Sequence, residues 1–129
     1  MSIRPRHLAI GAAGVAVVGL VAGGAVWAVA DDNDVVRNGT CTTANYEFEV
    51  EAEENDTVEL NLELLAASVG EEWSVSLSQD GQLLYSGVRI ADDEAEIDVD
   101  IDAAAKKSAT YVAEFGPVGT RQCRVELTH

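Results

Sequence analysis

Residues 46–51 read YEFEVE, a strict alternation of apolar and acidic side chains. Residues 58–64 repeat the pattern as VELNLEL, and residues 97–101 repeat it as IDVDI. A period of two places every second side chain on the same side of an extended backbone, so one face of each segment is apolar and the other is polar. These three segments are therefore predicted to be β-strands that bury one face.

Four further segments complete the predicted set of strands. Residues 73–78 alternate Trp, Val and Leu with serine, residues 111–115 place Tyr, Ala and Phe on one side, and residues 123–127 do the same with Cys, Val and Leu. The dipeptide at residues 80–81 is Asp-Gly, which is typical of a type I′ hairpin turn because both central residues of that turn need a positive φ. This turn leads into residues 82–90, so the sequence predicts seven strands after residue 40.

Seven short strands about ten residues apart, separated by turns, are typical of an antiparallel β-sandwich. In outline, residues 40–128 resemble the immunoglobulin-like or fibronectin type III superfold, and Trp73 on the third predicted strand fits that pattern. The resemblance implies that the first, second and fifth predicted strands share one sheet, while the third, sixth and seventh share the other. The usual bridge between the second and sixth strands is missing. Residues 103–107 are the only helical candidate in this region, with one turn at most.

The first 30 residues differ from the rest because they contain no acid and carry a short basic head before an apolar stretch at residues 8–30. We expect this stretch to form an N-terminal hydrophobic helix that is a signal peptide or a membrane anchor, with the C-terminus of the chain outside the cytoplasm. Ala28 and Ala30 are small residues of the kind that signal peptidase recognises, which would place cleavage before Asp31. The 23 apolar residues equally suit a retained span that crosses the membrane, so both alternatives stay open.

Charge is concentrated in the remainder of the chain. Residues 31–129 contain all 23 Asp and Glu but only six Lys and Arg, which gives a formal charge of −17. Binding of nucleic acid is excluded by this charge, because it needs clustered Lys and Arg that release counterions. Such acidity also keeps proteins soluble and separate, so the isolated domain is expected to be a monomer. Residues 31–40 are predicted to be an acidic linker, and residues 41–129 are predicted to be one sandwich domain.

Cys41 and Cys123 are the two cysteines of the chain. Because an exported domain lies in an oxidising compartment, a disulfide between them is expected. A catalytic or metal-binding thiol would need nearby His or further Cys, and the exported part has only His129. Closing a loop of about 80 residues is worth roughly 4 kcal/mol in the chain-entropy model. The bond joins the starts of the first and last predicted strands, which could be adjacent if these two strands run parallel.

The sequence predicts no catalytic residue, no cofactor and no metal site. Asp98, Asp100 and Asp102 point outward about 7 Å apart along one strand, so one calcium ion cannot collect all three. The loop at residues 92–94, Asp-Asp-Glu, is the remaining calcium candidate. Carboxylates on a strand face are expected to be solvated and so to lack the raised pKa of a general acid, and serine without a nearby His has no base.

The leading functional expectation is a non-catalytic interaction or structural domain that is secreted or membrane-tethered, because sandwich folds without convergent catalytic groups mostly bind other proteins or glycans. The alternative is an accessory subunit of a membrane complex that keeps its transmembrane helix at residues 8–30. An unidentified protein or cell-envelope partner is expected on the nearly neutral sheet, since desolvating the acidic sheet costs more than contacts return. The residues expected on this partner face are Ser74, Ser76, Ser78, Thr110, Gln122 and Arg124.

Overall fold

A computed structural model describes residues 34–129 in full and residues 26–31 by their backbone. These residues form nine β-strands. Among them there is no helix that is long and apolar enough to span a membrane. The strands are β1 (Val26–Asp31), β2 (Asp34–Cys41), β3 (Ala44–Glu53), β4 (Thr57–Leu65), β5 (Glu72–Gln79), β6 (Gln82–Ile90), β7 (Glu96–Ala104), β8 (Thr110–Pro117) and β9 (Cys123–Thr128).

Two predictions for the N-terminal segment involve residues that lie outside the described part of the chain or at its edge. The hydrophobic helix predicted within residues 1–30 lies outside them, except for Val26–Asp31, which belongs to strand β1 rather than to a helix. The predicted cleavage site at Ala28, Ala30 and Asp31 also falls in β1, which pairs antiparallel with β2.

The strands form two antiparallel sheets. The five-stranded sheet has the order β1-β2-β3-β4-β7, and the four-stranded sheet has the order β6-β5-β8-β9. The seven predicted strands correspond to β3 through β9, and the predicted distribution between sheets is confirmed: β3, β4 and β7 share one sheet, and β5, β8 and β9 share the other. The arrangement is an all-β sandwich compatible with an immunoglobulin-like fold, with β6 attached to β5 at the edge of the four-stranded sheet.

The apolar sides of both sheets meet in one core, as the alternation predicts. Trp73, Tyr111 and Phe115 of the four-stranded sheet and Phe48 of the five-stranded sheet have no exposed area. One buried polar side chain links the two sheets: the Gln79 amide Nε2 donates to the Ala104 carbonyl at 2.8 Å and to the Tyr111 hydroxyl at 2.9 Å. Such a group can be buried because its hydrogen bonds are retained inside the core.

The hairpin between β5 and β6 confirms the turn predicted from its sequence. Gln79 and Gln82 are directly paired, and the two residues between them have positive φ, 49° at Asp80 and 85° at Gly81. Both positive values are the requirement of a type I′ turn. The Asp80 side chain also accepts a hydrogen bond from the Thr110 backbone N–H at 2.9 Å, which ties this turn to the start of β8.

Two local expectations differ from the structure. The segment assigned to an acidic linker contains β2, which pairs with β3 along its whole length, from Asp34 opposite Glu51 to Cys41 opposite Ala44. Residues 103–107 do not form a helical turn, because β7 continues to Ala104 in register with β4 and the chain then turns.

The predicted disulfide between Cys41 and Cys123 is confirmed, with an S–S distance of 2.02 Å. The first predicted strand, β3, and the last, β9, run in the same direction, as the predicted proximity of their starts requires, because each of them runs opposite to β2. Cys41 is the last residue of β2, not the start of a strand, and Cys123 is the first residue of β9. Val35 near the start of β2 and Leu127 near the end of β9 line one groove, so these two strands run in opposite directions.

Candidate functional site

The outer face of the four-stranded sheet brings together the residues expected to meet a partner. Directly opposite residues of antiparallel strands share a face. The ladder Ser86–Ser76–Glu114–Arg124 crosses all four strands, and the ladder Leu83–Ser78–Val112–Glu126 runs beside it. Ser74 lies opposite Gly116, and Thr110 lies opposite Thr128 on the same face. Gln122 precedes β9, where its Cα lies 3.1 Å from the position that a Cβ on Gly116 would take.

Three exposed apolar side chains extend this face along β6. Leu83, Val88 and Ile90, which we call the apolar rim, are 59%, 57% and 60% exposed. Their partners in β5 are Ser78, Ser74 and Glu72, so the rim lies on the same side as the serines. The rim was not predicted from the sequence, although residues 82–90 offer one signal, because they combine several large apolar side chains with the absence of any acid.

The charged groups on this face are few and partly neutralised. Arg124 lies between two acids, with Nε 3.6 Å from Glu114 Oε2 and Nη1 3.4 Å from Glu126 Oε1. All three side chains are about half exposed, so these ion pairs contribute little to stability. Their effect is to leave a surface of serines and apolar groups with little net charge. Such a surface is much less costly to desolvate than one that carries rows of carboxylates.

The outer face of the five-stranded sheet has the opposite character. Its acids lie in register across β2, β3, β4 and β7, and five directly opposite pairs are acid to acid: Asp34–Glu51, Glu51–Glu59, Glu59–Asp102, Glu47–Glu63 and Glu63–Asp98. In the row that contains Glu49 and Asp100, Asn61 lies between these two acids, so no acid is directly opposite another at this point of β3, β4 and β7. Asn61 Nδ2 donates to Asp98 Oδ1 at 2.8 Å.

Two of these acids are not solvated, contrary to the expectation for strand-face carboxylates. Glu49 is 5% exposed and Glu59 is 6% exposed. Both belong to strands in the middle of the sheet, where side chains on both neighbouring strands flank them: Glu49 lies between Val36 and Asn61, and Glu59 lies between Glu51 and Asp102. The acids of β7 at the edge of this sheet, among them Asp100, are exposed as expected.

Acid clusters form across the strands of this sheet rather than along one strand. Carboxylate oxygens of Asp34, Glu49 and Glu51 lie within 4.8 Å of one another, and those of Glu53, Glu59 and Asp102 form a similar group. Ca²⁺ takes six to eight oxygen ligands, so each cluster offers only part of a coordination sphere. Of Asp98, Asp100 and Asp102, Asp102 belongs to one of these two clusters.

The loop at residues 92–94, the remaining calcium candidate, is organised by its own backbone. Asp92 Oδ1 accepts hydrogen bonds from the backbone N–H groups of Glu94 and Glu96, both at 2.9 Å. These bonds lower the pKa of the Asp92 carboxyl below its usual value, and the bond from Glu96 contributes most. The carboxylate thus has a structural role in closing the turn between β6 and β7.

Comparison with known proteins found no match among protein-family models, curated proteins or solved structures. The fold therefore stands on the strand order and register, and the function is argued from the two sheet surfaces.

Proposed function

We propose that this chain is a non-catalytic extracytoplasmic domain, secreted or membrane-tethered, that binds a protein or cell-envelope partner on the outer face of its four-stranded sheet. The observation that carries the proposal is the contrast between the two sheets. The four-stranded sheet presents serines and the apolar rim, with Arg124 between Glu114 and Glu126. The other sheet presents rows of opposed carboxylates.

An extracytoplasmic location is supported by the disulfide. Such bonds form and persist in oxidising compartments, whereas thiols are kept reduced in the cytosol. The alternative, an accessory subunit of a membrane complex, differs in keeping residues 8–30. Identifying the first residue of the native protein by N-terminal sequencing tests the alternative: a start at Asp31 rules out the retained anchor and with it the membrane subunit, whereas that alternative requires retention of residues 1–30.

The binding face is tested by charge variants on opposite sheets. The partner is first isolated from the cell envelope with the wild-type chain as bait, and its affinity is then measured for each variant. Ser76→Glu and Arg124→Glu place negative charge in the middle of the proposed face and are expected to weaken binding. Asp100→Lys changes an exposed acid on the other sheet and serves as the control. Loss of binding in the control with retention in the other two would identify the acidic sheet as the binding surface.

A further inference from the structure

A groove opens between β2 and β9 along one side of the sandwich. The disulfide joins these strands at one end, where β2 ends and β9 begins. Toward the other end they border a groove of about 360 Å³ that is open to solvent on one side, a volume within the size range of small-molecule sites. The groove is lined by Val35, Arg37, Glu126, Leu127 and Thr128.

Arg37 is unusual among the charged residues of this domain. It lies opposite Phe48, a side chain with no exposed area, so it points toward the interior of the sandwich rather than toward the acidic face. Its Nε is buried and donates no hydrogen bond to any described residue. Arg124, in contrast, forms ion pairs with Glu114 and with Glu126, and Glu126 is one of the residues that line the groove.

A buried guanidinium nitrogen without an acceptor is costly, because it has lost hydration without a replacement. The domain carries 23 Asp and Glu, yet Arg37 Nε has no acceptor among the described residues. The charge also reaches the interior: burial raises the pKa of the Tyr46 hydroxyl, and the positive charge of Arg37 opposes that shift. The arrangement leaves a positive group beside the apolar side chains of Val35 and Leu127, while the acid of the groove, Glu126, is paired with Arg124.

We propose that this groove binds a carboxylate, held by the Arg37 guanidinium, on a molecule whose apolar part lies against Val35 and Leu127. The planar guanidinium matches a carboxylate with two parallel hydrogen bonds, and a dehydrated site strengthens such bonds. The carboxylate has two possible sources with the same chemistry: a short-chain carboxylic acid, or the C-terminus of a peptide that ends in an apolar residue and lies along the edge strand β9.

The test uses the full chain in mild detergent and three probes: butyrate, the acetylated tripeptide Ala-Ala-Val with a free C-terminus, and the same tripeptide with an amidated C-terminus. Binding is followed by NMR at the amides of Val35 and Leu127 and at the Arg37 side chain. Saturable shifts with the free peptide and not with the amide are expected. Binding of butyrate as well would identify a small acid as a sufficient ligand, whereas binding of the peptide alone would identify the peptide C-terminus as the source.

Variants show whether Arg37 holds the carboxylate. Arg37→Gln is expected to weaken binding of the free peptide by about tenfold or more, because hydrogen bonds between charged groups are lost. Arg124→Gln removes an exposed arginine on the outer face and is expected to leave binding unchanged. Arg37→Lys keeps the positive charge but cannot form the two parallel hydrogen bonds of a guanidinium, so it is expected to bind the free peptide with intermediate affinity. This variant keeps the test valid if Arg37→Gln does not fold. Absence of binding by all three probes, or equal binding by wild type and Arg37 variants, would overturn the proposal.

Discussion

Loss of the disulfide between Cys41 and Cys123 is expected to remove a large part of the stability of the domain. The bond joins residues 82 positions apart. For a loop of this length the chain-entropy model gives about 4.5 kcal/mol at room temperature. A single domain of this size is stable by about 5–15 kcal/mol, so the bond accounts for roughly a third or more of the free energy of unfolding.

Urea denaturation followed by tryptophan fluorescence measures this contribution, because Trp73 is fully buried in the core. With an m-value of about 1.5 kcal/mol per molar urea, loss of 4.5 kcal/mol lowers the midpoint by about 3 M. Wild-type protein is compared with and without reductant, which keeps both sulfur atoms in place. The double variant Cys41→Ala, Cys123→Ala is the control and should not respond to reductant. Its midpoint should lie near that of the reduced wild type.

Two results would refute this reasoning. Titration of the unfolded, unreduced chain should find almost no thiol, and two reactive thiols per chain would show that the bond does not form. A midpoint that does not respond to reductant, with the bond shown to be broken, would mean that the loop is already restricted in the denatured state. In that case the entropic estimate does not apply to this domain.

Three further predictions concern buried and charged groups. Gln79→Ala removes both hydrogen bonds that Gln79 donates in the core, so it should lower the free energy of unfolding by about 2 kcal/mol, as measured by urea denaturation. The control Gln82→Ala, at the exposed position directly opposite, should change the free energy of unfolding little. The Asp92 carboxyl should titrate below its usual pKa of 3.8 in an NMR pH series; its contribution to stability is then present above 3.8 and is lost as the pH falls through the lower folded-state value. Added NaCl should raise the melting temperature by screening the acidic sheet, and Asp102→Asn, at an exposed acid directly opposite Glu59, should reduce that salt dependence; a melting temperature independent of salt would contradict the repulsion.

The sequence predicted β3, β4 and β7 from the difference in polarity between their two faces, and it did not predict β2, whose faces do not differ in this way. In β3, β4 and β7 apolar and polar residues alternate without interruption. In β2, Val35 and Val36 are adjacent, and Arg37 occupies an inward position, so the period of two is absent. Pairing with β3 keeps this segment extended, which local pattern alone does not show.

The candidate sites depend on information that lies between strands. The outward position of Ser76 followed from alternation within one strand, whereas the meeting of Asp34 with Glu49 and Glu51 depends on the register between β2 and β3. The apolar rim could not be predicted from alternation because β6 contains a bulge: the register of β5 and β6 shifts between Leu77 and Ser78. That shift places both odd-numbered Leu83 and even-numbered Val88 on the outer face, so no single period describes β6.

The distribution of acids between the two sheets favours a binding role for the four-stranded one. Solubility requires a high net charge but not its concentration on one sheet. Like charges directly opposite in a ladder destabilise a sheet, at about 0.2–1 kcal/mol for each pair, and strands β2, β3, β4 and β7 contain five such pairs. Exchanging some of these acids with the serines of β5 would relieve the repulsion at the same net charge. The serine rows and the exposed apolar rim are therefore not explained by solubility. A face that carries few charges, despite this cost elsewhere in the domain, is the surface on which a partner would desolvate the fewest carboxylates.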